Sequence, residues 1–534
     1  MVRAIFEILR LSKTSRGKYF ITLLFLLISC EFVFAQSLPL GTKALEDYYL
    51  RKQLNGDLDS SISFTVRPSF PFLIGSKNSR AVDTLLDPGK QIYGSASGKS
   101  KVLILPFSWQ QRYNGHPSYS RNDGAMIPAR GYQSLVSAGF FANAGPLSVQ
   151  IKPEYVFAGN GAFREFSSHY GPADLPVRFG KDPYSRLSWG QSSIRLNFDP
   201  ISVGLSNENL WWGPGKQNSI LMSNTAPGFK HLTLNTSRPV RTPIGSIEAQ
   251  IIAGRLEGSG FTDGLSDDWR YLSGLVLTYQ PRWFPGLFLG LTRSFQIYHD
   301  DMDDSFGDYL PIFQAFQKKN TNEDKKRRDQ LTSVFARWLL RGSKAEVYFE
   351  YGLNDHSYNT RDFLMSPEHS RAYTLGMTKL MPYKGRNDEY IQLGIELTHM
   401  EQSLDRVFRD AGEWYIHSPV IHGYTQQGEV LGAGIGPGGN LQSVNIGWVK
   451  GLKQIGLQLE RYEHNGDLAN KYGYSPWIDL SAAAVANWTY NKFIFNAKLQ
   501  GIESVNYQWR SGPYGSANKN AFHVNGEVGV MYRF

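Results

Sequence analysis

The stretch FHVNGEVGVMYRF, residues 522–534, puts Phe522, Val524, Gly526, Val528, Val530, Tyr532 and Phe534 on one face of an extended chain and His523, Asn525, Glu527 and Arg533 on the other. Side chains alternate across a strand with a period of two, so the segment has one apolar and one ionisable face. A strand between lipid and a wet lumen needs that pairing, and the segment reads as a wall strand of a transmembrane β-barrel. The pattern recurs upstream. Leu147, Val149, Ile151, Tyr155 and Phe157 alternate with Ser148, Gln150, Lys152 and Glu154, and Ile391, Leu393, Ile395 and Leu397 alternate with Gln392, Gly394, Glu396 and Thr398. Candidate strands fall at 102–113, 134–142, 147–157, 193–198, 201–208, 231–237, 247–256, 272–280, 287–296, 332–340, 345–351, 371–379, 389–399, 442–450, 454–461, 482–490, 493–501 and 522–534, eighteen in all.

The connections give an independent check. Long segments at 114–133, 158–192, 209–230, 257–271, 297–331, 352–370, 400–441, 462–480 and 502–521 alternate with short ones such as NAGP, Asp199-Pro200, PRWFPG, RGSK, GLK and Asn491-Lys492. Outer-membrane barrels have short periplasmic turns and long external loops, whereas a soluble sandwich has no reason to alternate this way. An even strand count places both ends of the barrel in the periplasm and every long loop outside the cell.

Composition agrees with an all-β reading. The 534 residues include 53 Gly, 29 Tyr, 32 Phe and 12 Trp, and only 19% are charged; aromatics favour strands. Mean hydropathy is −0.34. Beyond the first 35 residues no apolar run approaches the roughly 18–20 residues of a spanning helix, which argues against a helical membrane protein. Residues 1–35 read as a secretory signal: Arg3, Arg10, Lys13, Arg16 and Lys18 precede the apolar YFITLLFLLISC, and Val33 and Ala35 suit cleavage after Ala35. The rival reading is a lipoprotein signal, because Leu27–Cys30 fit a lipobox whose Cys30 would be acylated. Cleavage after Ala35 removes Cys30, the single cysteine, and with it disulfide and thiol chemistry. The formal net charge of +9 lies partly in the signal. The mild excess left suits anionic sugars or lipopolysaccharide phosphates and is too weak to argue for nucleic acid.

Residues 36–100 form a periplasmic lead-in. Ala44, Leu45, Tyr48 and Tyr49 share a helical face that Asn55-Gly56 ends, predicting a helix that sits in the periplasm or plugs the barrel mouth. Residues 101–534 form the transmembrane barrel with its long extracellular loops.

Catalytic templates match only in part. GSASGKS at 94–100 has three residues between its glycines where a P-loop needs four. GIGPGG at 434–439 fits G-x-G-x-x-G without the βαβ setting, and reads as a flexible external loop. His417 and His422 lack an HExxH or CxxC companion for zinc. The acidic run His299–Asp304 and the basic run Lys325–Arg328 share one loop and read as mutually neutralising. A barrel hydrolase would need a His with Ser or Asp partners from separate strands, a set that spacing does not assemble. The expectation is a non-enzymatic protein without cofactor or metal.

From Trp189 onward the residues are specific. SWGQSSIRLNF, then LSNENLWWGPGKQNSILMSNTAPGFKHLTLNTSRPVRTPIGSIEAQIIAGRLEGSGF, and later RWLLRGSKAEVYFEYG and EWYIHSPVIHGYTQQGEVLGAGIGPGGN, resemble the Wzi-type capsule assembly family of Gram-negative outer-membrane barrels. The resemblance covers most of the chain after about residue 100, and the WWGPG block with its SNTAPGF tail is its most specific part. It implies an eighteen-stranded barrel, a periplasmic helical N-terminus and lectin-like attachment of capsular or exopolysaccharide at the cell surface. The helical stretch here is short, which departs from an elaborate periplasmic bundle. The final strand, ending on Phe534 with Tyr532 before it, also resembles the terminal strand that the barrel assembly machinery recognises in bacterial outer-membrane proteins.

Sugar recognition needs flat aromatic faces and planar polar or cationic groups. Trp211, Trp212 and Lys216 in loop 209–230, Trp414, Tyr415, His417 and Tyr424 in loop 400–441, and Glu368, His369 and Arg371 near the end of another loop supply them. The two aromatic loops are expected to fold inward and meet over the barrel mouth as the ligand surface. The bland alternative is that the aromatics belong to the interfacial girdle. The expected partners are capsular or extracellular polysaccharide and outer-membrane lipid and lipopolysaccharide, for a monomer. The competing function is an outer-membrane channel or porin passing small solutes or exported polysaccharide.

Overall fold

The computed structural model describes residues 37–69, 89–96, 100–115, 120–163, 173–303, 305–313, 327–354, 365, 368–386, 388–407, 410–510 and 519–534. The signal segment with Cys30, and the cleavage site after Ala35, lie outside the described residues. Backbone N–H and C=O groups facing lipid have no water to bond, so strands in a membrane must pair on both sides and close. The chain does so as one closed antiparallel barrel of eighteen wall strands.

In chain order the wall strands are β1 (Ser100–Asn114), β2 (Gly131–Ala144), β3 (Leu147–Ile151 and Glu154–Ala158), β4 (Tyr184–Ser188 and Ser193–Phe198), β5 (Ile201–Ser206) and β6 (His231–Thr236 with Val240–Thr242). They continue as β7 (Gly245–Leu256), β8 (Arg270–Pro281), β9 (Leu287–Tyr298), β10 (Asp329–Leu340), β11 (Ala345–Asn354) and β12 (Arg371–Pro382). The circuit ends with β13 (Glu389–His399), β14 (Asn440–Lys450), β15 (Lys453–His464), β16 (Trp477–Tyr490), β17 (Phe493–Val505) and β18 (Ala521–Tyr532). Each pairs with its sequence neighbour, and β18 closes on β1 from Asn525↔Asn114 to Tyr532↔Phe107.

The alternation read from residues 522–534 is visible in space. Phe522, Val524 and Val528 are exposed on the outside, while His523 and Asn525 are buried inside. Leu457, Leu459, Leu499, Leu375, Val334 and Ile446 continue the exposed apolar belt. Trp283, Phe284, Trp488 and Tyr490 mark its short-turn end as an aromatic girdle.

One wall strand and one loop depart from the sequence expectation. The strand expected at 193–198 begins earlier, because Tyr184–Ser188 pairs with Glu154–Ala158 before the wall is interrupted. Pro153 cannot donate to the ladder, and Gly190 turns opposite it with φ +52°. In the expected loop 462–480 the chain forms a short helix, α2 (Gly466–Tyr472), after α1 (Lys43–Asn55) near the start. The Asn465 side chain accepts the Leu468 N–H of α2 at 3.0 Å.

Helix α1 sits in the short-turn mouth. Leu45, Tyr48, Tyr49 and Leu50 pack with Leu452 and Ile494, and Leu54 packs with Leu339, Leu380 and Val449. Arg337 of β10 donates to Gln53 Oε1 (2.9 Å) and to the Ser63 carbonyl (2.7 Å). Lys344 and Tyr390 both donate to Asn55 Oδ1 at 2.7 Å. Gly56, at φ +90°, ends the helix.

The belt makes a direct prediction. Leu457→Arg, in the belt, should cost about 2–4 kcal/mol of folding free energy in lipid vesicles, read by urea titration of heat-modifiable gel mobility. Unchanged stability would mean that this face does not meet lipid.

Candidate functional site

The loop between β5 and β6 does not stay outside. After Leu210 it enters the lumen, where Trp211–Trp212 pairs with Val66–Arg67 from the lead-in segment. Trp212 is fully buried, its Nε1 donates to Gln250 Oε1 of β7 (2.9 Å), and its ring lies on Gly274 of β8. A Cβ at residue 274 would stand 2.7 Å from Trp212 Cη2, so the glycine is the seat of the tryptophan. Arg67 lies over the Trp211 ring at 4.5 Å and pairs with Glu46 of α1 at 2.8 Å.

The GPGKQN turn explains why WWGPG is a compact motif. Gly213 adopts φ +127°, and its N–H donates to the Thr65 carbonyl (2.8 Å). A Cβ at Gly215 would meet the Asn218 carbonyl oxygen. The three consecutive N–H groups of Lys216, Gln217 and Asn218 converge on the Glu396 carboxylate of β13, at 2.7, 3.0 and 2.9 Å. Tyr348 donates to the same carboxylate (2.7 Å). Lys216 Nζ donates to Thr378 Oγ1 (2.7 Å) and pairs with Glu346, which Arg337 also holds at 2.6 Å.

The loop between β13 and β14 closes over this turn. Tyr415 OH donates to the Ile220 carbonyl (2.7 Å) and accepts from the Ala433 N–H (2.8 Å). Trp414 Nε1 donates to the Arg371 carbonyl (3.1 Å). Tyr424 stacks on Tyr415 with centroids 6.0 Å apart and bonds Ser294 of β9. Ser223 N–H donates to the Leu431 carbonyl, and buried Arg270 donates to the Gly423 carbonyl at 2.6 Å. Trp212, Ile220, Leu221, Met222, Trp414, Tyr415, Tyr424, Leu431 and Ile435 share one apolar cluster. Burial drives the His422 imidazole down to about 4, with Arg270 adding to it, so it stays neutral beside the Tyr298 hydroxyl (2.7 Å).

Loops 209–230 and 400–441 therefore do meet, as expected of them. Trp211, Trp212, Trp414, Tyr415 and Tyr424 of the expected ligand surface are buried in the plug, where their faces cover one another and the wall. Lys216 points at wall carboxylates. GIGPGG is packed rather than flexible, with Ile435 buried at its centre. His417 and Arg371 are half-buried and Glu368 is exposed, so these three remain at the surface. Beneath the plug and above α1 the lumen keeps a cavity of about 350 Å³, lined by Lys43, Glu46, Arg67, Trp211, Lys216 and Glu396 among others.

The rim carries aromatics that the sequence reading passed over. Tyr472 and Tyr474 stack at 5.7 Å and 25°, with Lys471 over Tyr472 at 5.8 Å. Tyr472 is exposed, at 48%. Across the mouth Trp269 stacks on His299 at 4.5 Å, and Arg255 lies 5.0 Å from the Trp269 ring. The signal available was an aromatic beside a cation in a polar loop, which is weak without the turn that pairs them. Asp268, His299 and Asp300 have ligand atoms within 4.8 Å of one another and are the described group that could share a cation. Arg327 pairs with Asp301 (3.2 Å), a contact between the two charged runs of that loop, and Arg328 pairs with Asp308 (3.8 Å), beyond the acidic run. At the base of α2, burial pushes Asp467 up to about 7, against the Gln402 N–H that favours its ionised form.

A closed barrel with an apolar outer belt, a helix in one mouth and two interlocked loops in the other is an outer-membrane β-barrel with an occupied lumen. The sequence profile of the capsule assembly protein Wzi family matches residues 110–500, and the chain belongs to that family. The solved structure described as Wzi, an outer membrane protein involved in group 1 capsule assembly in Escherichia coli and a carbohydrate-binding β-barrel, superposes with a TM-score of 0.64 at 13% identity, covering 94% of this chain and 100% of that one. A BenF-like porin from Pseudomonas fluorescens Pf-5 gives 0.40 at 9% identity, covering 82% of this chain and 99% of the porin. OprD of Pseudomonas aeruginosa gives 0.39 at 8%, covering 82% and 96%. Among curated proteins no sequence matches the chain.

Filling the tryptophan seat tests the plug. Gly274→Leu should displace Trp212 at a cost of about 1–3 kcal/mol for an overpacked site, leaving the barrel heat-modifiable but making loop 207–230 sensitive to added protease. Protease resistance equal to the parent would mean that Trp212 does not hold the loop.

Proposed function

We propose that the protein binds polysaccharide at the cell surface and holds it there without chemical turnover. The observation that carries this reading is the combination of family membership with a lumen filled by interlocked loops, which turns the barrel into a platform. Capsule assembly and carbohydrate binding are what the family name and the Escherichia coli structure describe. In this chain the long loops face outward, the short turns and α1 face the periplasm, and mature residues begin at Gln36.

The ligand surface is the rim of the plug rather than its interior. Tyr472 and Tyr474 offer stacked ring faces beside Lys471, and Trp269 with Arg255 offers the same chemistry across the mouth. Ring faces suit the CH-rich side of a pyranose, and the cations suit uronate or phosphate groups. His417, Glu368 and Arg371 complete the polar part of this surface. Trp212, Trp414 and Tyr415 act through it by fixing the loops.

The reading has a direct test in cells carrying the polysaccharide. Stacking contributes roughly 1–3 kcal/mol per ring by analogy with nucleobases, and 1.4 kcal/mol is tenfold. Tyr472→Ala with Tyr474→Ala should therefore lower cell-bound polysaccharide about five-fold or more, with the barrel assembled normally. Retention equal to the parent would remove this pair from the binding surface.

A further inference from the structure

Directly paired strand residues share a face, so the pairing identifies what looks outward at the long-loop end of β8, β9 and β10. The row Leu277–Leu291–Val334 belongs to the exposed belt. The next outward rows, Leu275–Arg293–Thr332 and Ser273–Phe295–Gln330, interrupt the apolar belt with Arg293, Thr332, Ser273 and Gln330. The alternate face of β9 is the lumenal one, because Ser294 bonds Tyr424 and Tyr298 bonds His422 inside. Arg293 nonetheless is only 2% exposed. Its cover is the segment Ser305–Phe313 of the following loop, which turns back onto the outside of the wall. Arg293 Nη1 donates to the Ile312 carbonyl at 3.2 Å, Ile312 is buried, and Tyr271 OH donates to the Tyr309 carbonyl at 2.8 Å with the two rings edge to face.

The cover has an apolar outer surface of its own. Phe313 is 63% exposed and Tyr309 43%, within a segment that otherwise buries Pro311 and Ile312. Phe313 follows Ile312, whose carbonyl caps Arg293, and Arg293 lies in the outward row next to the exposed Leu277 and Val334. An apolar ring in that position is continuous with the lipid-facing belt. Aromatics at this level are what a barrel places in the headgroup layer. The wall's own outward aromatics here, Tyr271 and Phe295, are buried beneath the segment and do not reach that layer.

We propose that Ser305–Phe313 is a membrane-interface anchor, a loop segment that covers the wall's own outward residues over β8–β10 and seats Tyr309 and Phe313 in the headgroup layer of the leaflet on the long-loop side. The occupant of this surface is the lipid leaflet, because the surface continues the belt. A loop tied to the leaflet in this way also fixes the height of the neighbouring rim above the membrane.

The test uses the full chain with Cys30→Ser, reconstituted in vesicles containing lipopolysaccharide, and nitroxide-labelled single cysteines at Phe313→Cys, Leu289→Cys in the belt and Glu368→Cys in a long loop. Collision with oxygen relative to a water-soluble nickel chelate reports lipid contact. The ratio at position 313 should lie within about two-fold of that at 289 and well above that at 368. A ratio at 313 equal to that at 368 would overturn the proposal. So would dipolar coupling between two labels at 313, which would make the surface a contact between copies. Heat-modifiable mobility confirms assembly of each variant. As a second variant, Tyr309→Ser, labelled at Phe313→Cys, should lower the ratio at 313 while the label at 289 keeps its ratio.

Discussion

The structure turns on the lumenal carboxylates of the wall. Glu346, Glu350 and Glu396 project inward from β11 and β13 into a space shielded from bulk water, and a buried charge is tolerated only when paired or hydrogen-bonded. Glu396 is satisfied by three successive N–H groups of the GPGKQN turn and by Tyr348. Glu346 is satisfied by Arg337 and Lys216, and Glu350 accepts from Ser333 (2.7 Å). Withdrawing the turn would leave Glu396 with Tyr348 alone and take from Glu346 one of its two partners. The loop between β5 and β6 is thus held in the lumen by the wall's own charge, and everything above it is built on that turn.

The aromatic plug follows from the same anchor. With the turn fixed, Trp212 has one seat, Gly274, and Ile220 presents its carbonyl to Tyr415. The second loop then closes over the first through hydrogen bonds that each satisfy a buried backbone group. At the opposite mouth Arg337 serves two structures at once, pairing with Glu346 below the plug and donating to Gln53 of α1. The helix and the loops are therefore coupled through a single strand of the wall, and a change at either mouth is felt at the same guanidinium.

Much of the fold was legible in the sequence because a barrel wall obeys one rule. Alternation at 389–399 and 522–534 follows from lipid on one side and polar groups on the other, and the rhythm of loop lengths follows from the two ends of a membrane strand. The start of β4 was not legible, since Tyr184–Ser188 carries polar residues on both sides of Leu187 and follows a proline. Nor was the direction of loop 209–230. WWGPG was specific as a motif, but tryptophans read the same whether they face a sugar or fill a core. Only the partners across the barrel, Gly274 and Glu396, decide between the two, and neither stands near the motif in sequence. Tyr472 and Tyr474 were missed for the converse reason: two tyrosines on either side of a glycine become a stacked surface only when α2 ends at Gly473.

The family name describes a capsule assembly protein, and a barrel whose loops are locked into its lumen suits holding a polymer outside better than passing one through. On this basis the wall carboxylates keep the barrel closed. Conductance of the purified protein in planar bilayers measures this most directly. The parent should form no stable pore, and Glu346→Ala combined with Glu396→Ala should give stable open steps in a barrel that remains heat-modifiable. A large, steady conductance from the parent would contradict it.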